Sequence, residues 1–221
     1  MADTGLTALQ LRLLGVLSTI EPRWTLSGGA ALVGFHLHHR ATRDLDLFWR
    51  ARRDLDHIPE AVISRLVGEG FKVQSIQRSP AFSRLAVNHA GEVVVLDLVA
   101  DPVAPIEPAV RVHLDGVEFD MDSRHEILVN KLNAVLGRTE LRDLVDIHAL
   151  LTAGGDLEAA LHDAPAKDSG FSPLTLAWLL DQLPVRDMAR SLNMEQGVDE
   201  LDAFRQHLIL RLTALAAPAA P

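Results

Sequence analysis

Three aspartates carry the clearest chemistry in this sequence. Asp44 and Asp46 sit two apart in Asp44-Leu45-Asp46-Leu47-Phe48, and Asp97 interrupts the apolar run Val93-Val94-Val95-Leu96-Asp97-Leu98-Val99. Strict alternation from Asp44 to Leu47 predicts a strand, with Asp44 and Asp46 on one face and Leu45 and Leu47 on the other. A carboxylate left unpaired in an apolar strand is costly, so Asp97 requires a cation, a hydrogen-bond network or a raised pKa. If Asp97 lies on a neighbouring strand, the three carboxylates converge on one face. They then form a site for Mg2+, a hard cation that prefers oxygen ligands and is often shared with phosphates. The competing readings are acids that reach water at a strand end and, for Asp97, pairing with an arginine.

Gly28-Gly29 supplies a second element. A strand, a small-residue turn and a helix start, with Ser27 as a candidate cap, aim free backbone N–H groups toward an anion. Two glycines let a phosphate approach the backbone closely. A tight turn without a ligand is the plain alternative, and the acidic strand that follows the helix argues for a phosphate. The third element lies further on. Lys131 follows Ile127 and Leu128 at helical spacing, so its ammonium either snorkels to solvent or reaches into a cleft. Arg138, Arg142, Asp143 and Asp146 come next. Arg142 and Asp146 form either an i,i+4 surface pair or a cation meeting phosphate beside an aspartate that orients it.

The elements that position these residues follow from periodicity. Helices are expected over Leu6–Leu17, Ala30–His38 and Ile58–Val67, and strands over Trp24–Leu26, Asp44–Phe48, Phe71–Ile76, Phe82–Asn88 and Val93–Val99. Turns at Ala90-Gly91 and Asp115-Gly116 predict hairpins, the second joining Val110–Leu114 to Val117–Phe119. Beyond Asp122 the pattern becomes helical. Ser123 with Glu126 forms a capping box for a helix to Val135, and Thr139 caps the next, Glu140–Leu151. Three more helices are expected near Leu157–His162, Leu174–Gln182 and Val198–Leu215. The expectation is an α+β protein: a sheet domain with flanking helices over residues 1–121, a helical domain over 122–215 and a flexible tail over 216–221.

Composition bounds the function. Hydrophobic residues make up 48% of 221, enough for a core. Cysteine is absent, so any metal must be held by oxygen or imidazole. His36 and His39 stand i,i+3, but no second ligand pair is evident, and helix-end histidines are the preferred reading over zinc. Trp178 with Leu174, Leu179 and Leu183 reads as helix packing. The net charge of −9 gives no global attraction to nucleic acid, so a polynucleotide needs a local basic patch, for which the run Arg50, Arg52, Arg53 is a candidate. Met1–Leu9 lacks the pattern of a secretory leader and no apolar run approaches a membrane span. A cytoplasmic protein with no membrane partner is expected.

The stretch from Gly28-Gly29 to Arg40-Ala41-Thr42-Arg43-Asp44-Leu45-Asp46-Leu47-Phe48 resembles the first motif of the AbiEii/AbiGii-type nucleotidyltransferase toxins. These belong to the polymerase-beta-like nucleotidyltransferase superfamily. Lys131-Leu132-Asn133-Ala134, then Arg138 and Arg142-Asp143-Leu144-Val145-Asp146-Ile147, resembles the later motif. The resemblance spans Leu26 to Leu151 and implies a nucleotidyltransferase sheet. It implies Mg2+ at Asp44 and Asp46 with Asp97 matching the third carboxylate, as ligand of a second metal or as general base. It implies triphosphate contacts from Ser27, Gly28, Gly29 and Lys131, and catalysis or nucleotide placement by Asp146 with Arg142. The implied reaction moves a nucleoside monophosphate from an NTP to an acceptor. By analogy that acceptor is RNA such as transfer RNA, and a cognate antitoxin is the partner in a type IV toxin-antitoxin system. A small-molecule or protein hydroxyl as acceptor, and an inactive nucleotide-binding module, are the alternatives.

Overall fold

A computed structural model of the chain describes residues 5–138, 140–192 and 196–216. The fold is α+β, and the chain forms two compact units, Met1–Ile127 and Leu128–Pro221, that divide inside one helix.

The first unit is built on a mixed sheet. Its strands are β1 (Thr25–Ser27), β2 (Asp44–Arg50), β3 (Lys72–Ser79), β4 (Phe82–His89), β5 (Glu92–Asp101), β6 (Val110–Leu114) and β7 (Val117–Met121). They lie in the order β3-β4-β5-β2-β1-β7-β6. β2 is central, antiparallel to β1 and parallel to β5, and β1 is parallel to β7. β2 alternates as expected: Leu45, Leu47 and Trp49 are buried and Asp44, Asp46, Phe48 and Arg50 are half-buried. Strand pairing puts Leu45 beside Leu96 and Leu47 beside Leu98, and Leu85 beside Leu96, so a continuous leucine face runs across β2, β5 and β4. Burying each such leucine stabilises the fold by roughly 1.5–3 kcal/mol.

Helices α1 (Ala8–Leu17) and α3 (Ile58–Gly68) pack on one another, α1 against β5 and β7 and α3 against β3. They bury Leu13, Leu14 and Leu17 from the first and Ile58, Val62 and Leu66 from the second. α1 starts at a capping box in which the Thr7 hydroxyl accepts from Gln10 N–H and the Gln10 side chain accepts from Thr7 N–H. Both hairpin turns match their sequences. Ala90-Gly91 and Asp115-Gly116 hold positive φ at both central residues, the geometry of the tight turn that follows strand twist.

The end of β2 is tied down by charge. The Arg50 guanidinium donates to Asp101 on β5 and to Asp122 after β7, and lies 3.9 Å from Glu126. Glu126 is fully buried and its Oε2 accepts the Ile106 N–H at 2.7 Å. The run Arg50, Arg52, Arg53 therefore does not present three free cations. Arg50 is consumed by this cluster and Arg52 pairs with Asp56. At the expected capping box the Ser123 hydroxyl accepts from Glu126 N–H at 3.0 Å, and the Glu126 carboxylate accepts from Ile106 N–H and lies near Arg50.

The second unit begins within α4 (Arg124–Gly137) and continues through α5 (Leu141–Thr152), α6 (Leu157–Lys167), α7 (Pro173–Asp181), α8 (Val185–Ser191) and α9 (Val198–Ala216). α9 packs against α5, α7 and α8. Helix α8 was not expected from periodicity. It is short and buries only Val185 and Ala189, too few apolar positions to show a period. The expected packing of Trp178 is corrected too. α7 is apolar on most sides and buries Leu176, Ala177 and Leu180, which leaves Leu174 and Trp178 exposed by 52% and 62%. The expected Thr139 cap and the tail from 217 onward lie outside the described residues. Among those described, no helix is long and apolar enough to cross a membrane.

The Arg50 cluster gives a stability test. Arg50→Met strands Asp101, Asp122 and Glu126 without their cation, and should cost about 3–5 kcal/mol, the usual scale for breaking a buried ion pair. Urea denaturation measures it, and a loss below about 1 kcal/mol would show that the cluster is incidental.

Candidate active site

Strand register builds a row of functional side chains in the first unit. Ser27 of β1 stands opposite Asp46 of β2, Asp46 opposite Asp97 of β5, and Asp97 opposite Arg84 of β4. Residues directly paired across strands share a face, so all four point to one side of the sheet, with neighbouring strands about 4.8 Å apart. Asp44, two residues from Asp46, joins them on that face. Asp97 therefore lies beside Asp46, away from the leucine layer.

Asp97 is 6% exposed and held by an arginine. Arg84 Nε donates to its Oδ1 at 2.8 Å and Nη2 to its Oδ2 at 2.7 Å, a bidentate pair. This hydrogen bonding, reinforced by the charges of Asp97, Asp44 and Asp46, pushes the Arg84 pKa further up. The arginine thus lies in the field of all three aspartates. Nothing in its own neighbourhood, Phe82-Ser83-Arg84-Leu85, marks it in the sequence. The tight turn at Ala90-Gly91 does, because counting outward pair by pair from His89 and Glu92 brings Arg84 opposite Asp97.

The glycine turn borders this row. Gly28 has φ +61°, and a Cβ there would stand 2.2 Å from Asp46 Oδ2, so only glycine lets the carboxylate lie against the backbone. A Cβ on Gly29 would meet Arg40 Nη2 at 2.8 Å and Thr42 Oγ1 at 3.2 Å, which places the tips of both side chains at the turn. Ser27 does not cap the helix that follows. Its hydroxyl bonds the Asp122 carboxylate, whose pKa burial pushes up against the opposing pull of Arg50 and Ser27. The helix is α2 (Gly28–Ala31), continuing as a π-helical turn over Leu32–Leu37. His36 on that turn lies with Nε2 3.0 Å from the Asp122 carbonyl oxygen, and burial lowers its pKa.

The second unit holds its own cluster. Lys131 on α4 neither snorkels nor stands free: it is 7% exposed, and Nζ lies 2.8 Å from both Asp143 Oδ1 and Asp146 Oδ2 on α5. Both acids are fully buried, and Arg138 adds a contact to Asp143, Nε to Oδ2, at 3.0 Å. Burial works to lower the Lys131 pKa, but the charges of Asp146 and Asp143 outweigh it and the net shift is upward. Asp143 is the member that the sequence names without a role, since its neighbours Arg142 and Leu144 gave no sign that it turned inward. Arg142 is exposed and, among the described residues, makes no ion pair, so of the two readings of Arg142 and Asp146 the surface pair is not formed.

The donors suit a hard cation. Asp44 and Asp46 offer carboxylate oxygens on one strand face, and Mg2+ is commonly bound by one or two carboxylates together with substrate phosphates. Among the described residues, no three acidic or imidazole groups close around a single metal position, and both Asp97 oxygens are engaged by Arg84.

The family model described as nucleotidyl transferase AbiEii toxin, type IV TA system, matches residues 12–214. Among solved structures, the fold is similar to MenT4, a nucleotidyltransferase toxin from Mycobacterium tuberculosis, at 18% identity and a TM-score of 0.55, covering 95% of this chain and 91% of that one. JHP933 from Helicobacter pylori matches at 19% identity and a TM-score of 0.54, over 94% of this chain and 92% of that one. An antigenic nucleotidyltransferase-like protein from Paracoccidioides brasiliensis matches at 19% identity and a TM-score of 0.50, over 86% and 95%. No curated protein matches at a significant level.

Two outcomes follow from the geometry. Gly28→Ala combines a left-handed backbone with a clash on Asp46 and should destabilise by at least about 1 kcal/mol. Gly29→Ala meets the flexible end of Arg40 and should cost less. Equal urea midpoints for the two would refute the packing argument. For Lys131, the folded pKa is raised above the ordinary lysine value of 10.5, so its contribution to stability is complete below that pH and lost as pH rises through the folded value. Lys131→Met should therefore lower stability by a constant amount between pH 7 and pH 10, with the gap narrowing only at more alkaline pH.

Proposed function

We propose that this chain, which belongs to the AbiEii nucleotidyl transferase family and is a nucleotidyltransferase, moves a nucleoside monophosphate from an NTP to a hydroxyl of RNA, with transfer RNA as the substrate class. We assign it Mg2+ dependence and the toxin role of a type IV toxin-antitoxin pair, with a cognate antitoxin as partner. The observation that carries this reading is the row Ser27–Asp46–Asp97–Arg84 set beside a glycine turn in left-handed conformation.

Asp44 and Asp46 would hold the metal ion, which when bound neutralises the triphosphate and stabilises in-line displacement at the α-phosphorus. The backbone N–H groups of Gly28 and Gly29 are assigned to the triphosphate, and the missing side chains make room for Asp46 and Arg40 beside it. The acceptor oxygen forms its bond to the α-phosphorus as the bond to pyrophosphate breaks. Most of the acceleration comes from positioning and fixed charge. Lys131 is assigned to phosphate contact, and Asp146 and Arg142 to catalysis or nucleotide placement. In support, Asp143 and Asp146 hold Lys131 charged and ordered. The exposed Arg142 is available to a ligand.

The test is incubation of the protein with Mg2+, each α-labelled NTP, and total RNA, protein extract or small alcohols as acceptors. Label should enter RNA, and Asp46→Ala should abolish it with an unchanged circular dichroism spectrum. Label in protein or in a small alcohol would reassign the acceptor. Undiminished transfer by Asp46→Ala would remove the active-site assignment.

A further inference from the structure

The side of the sheet that carries Asp97 continues outward over β5, β4 and β3. Strand pairing sets Val95, Ala86 and Gln74 in one row across these strands, and Val93, Asn88 and Lys72 in the next. The opposite side is packed: Leu85, Val87, Val94 and Leu96 are buried. The Asp97 side is open. Ala86, Asn88 and Val95 are half-buried, Lys72 and Gln74 are exposed, and Val93 is 52% exposed. These three antiparallel strands thus have one dry face and one that meets solvent.

Charge decides what the open face can accept. The chain carries a net charge of −9. Yet the only acids of β3, β4 and β5 on this side are Asp97 and Asp101, and each is paired with an arginine. Lys72 makes no ion pair among the described residues. A polyanion therefore meets no unmatched carboxylate on these three strands. Small apolar side chains in the middle, amides at Gln74 and Asn88 and a cation at the edge suit unstacked bases, which are recognised by flat contact and by hydrogen bonds to their edges. Arg84 reaches the same face, 42% exposed and held in place by Asp97, and a guanidinium is a plane on which a base can stack. The open face also runs into the row that holds Asp97 and Asp46, because Val93 stands four residues from Asp97 on β5, roughly 13 Å along the strand.

We propose that this open face of β3, β4 and β5 is the surface on which the single-stranded end of the acceptor RNA lies. The inference rests on the RNA-acceptor reading above. Bases rest on Ala86, Val93 and Val95, Gln74 and Asn88 meet base edges, and Lys72 meets a backbone phosphate. A strand laid along β5 from Val93 toward Asp97 brings its terminal hydroxyl to the carboxylate row.

The probe is a fluorescein-labelled single-stranded oligoadenylate, bound to the full-length protein without NTP and followed by fluorescence anisotropy. Lys72→Glu should weaken binding about three- to fivefold and reduce its salt dependence by about one phosphate contact. Adding Val93→Glu should bring the loss to about tenfold or more, by setting a second negative charge against the strand. In transfer assays the KM for RNA should rise in step, while kcat and the KM for NTP stay within about twofold. Arg65→Glu makes the same charge change on α3, behind the sheet, and should bind as wild type does. If the double variant does not fold, Lys72→Glu decides alone. Binding by these variants within about twofold of wild type would overturn the proposal and leave the transfer reading intact, as would an equal loss in Arg65→Glu. A wild-type protein that labels only protein or small alcohols and binds no oligoadenylate would overturn both.

Discussion

The site depends on the register of β2 between β1 and β5. Side chains on a strand alternate with a period of two, so a slip of one residue would turn Asp44 and Asp46 into the core and Leu45 and Leu47 out of it. Burial of Leu45, Leu47 and Trp49 against the leucines of β4 and β5 makes that slip prohibitively costly. The same packing that stabilises the sheet therefore holds Asp46 beside Asp97 on one side and beside Ser27 on the other. The acidic face and the core are the two faces of a single strand.

Around that strand, the protein answers each buried acid with a cation on a fixed scaffold. Asp97 has Arg84 across one strand pairing, Asp101 and Asp122 share Arg50, and Asp143 and Asp146 share Lys131. An ionised group without such a partner would cost several kcal/mol in a dry interior. Asp44 and Asp46 stay half-buried on the strand face. Three carboxylates thus share the face that borders the glycine turn, where Gly28 lets Asp46 lie against the backbone.

The two halves of the chain show how much could be read in advance. Strand positions in the first unit followed from alternation, and both tight turns from Ala90-Gly91 and Asp115-Gly116, because these signals are local. The same turn carries the Arg84–Asp97 pair once register is counted out from it. In the second unit, the helices with a clear apolar period were found, but α8 was too short to display one. The inward face of α7 was ambiguous, because leucines line most of its circumference and the choice between them rests with its neighbour α9.

By itself the sequence determined the α+β class, the common face of Asp44 and Asp46, the need of Asp97 for a partner and the family to which the motifs belong. All of these follow from residue type and spacing within a few positions. Only tertiary structure decided that Arg50 is buried rather than displayed, that Ser27 serves Asp122 instead of a helix end, and that Asp143 turns inward to Lys131. Each of these pairs residues distant in sequence or selects one side of an element. Such choices are made by long-range packing and by the cost of leaving a charge unmatched, which no local pattern records.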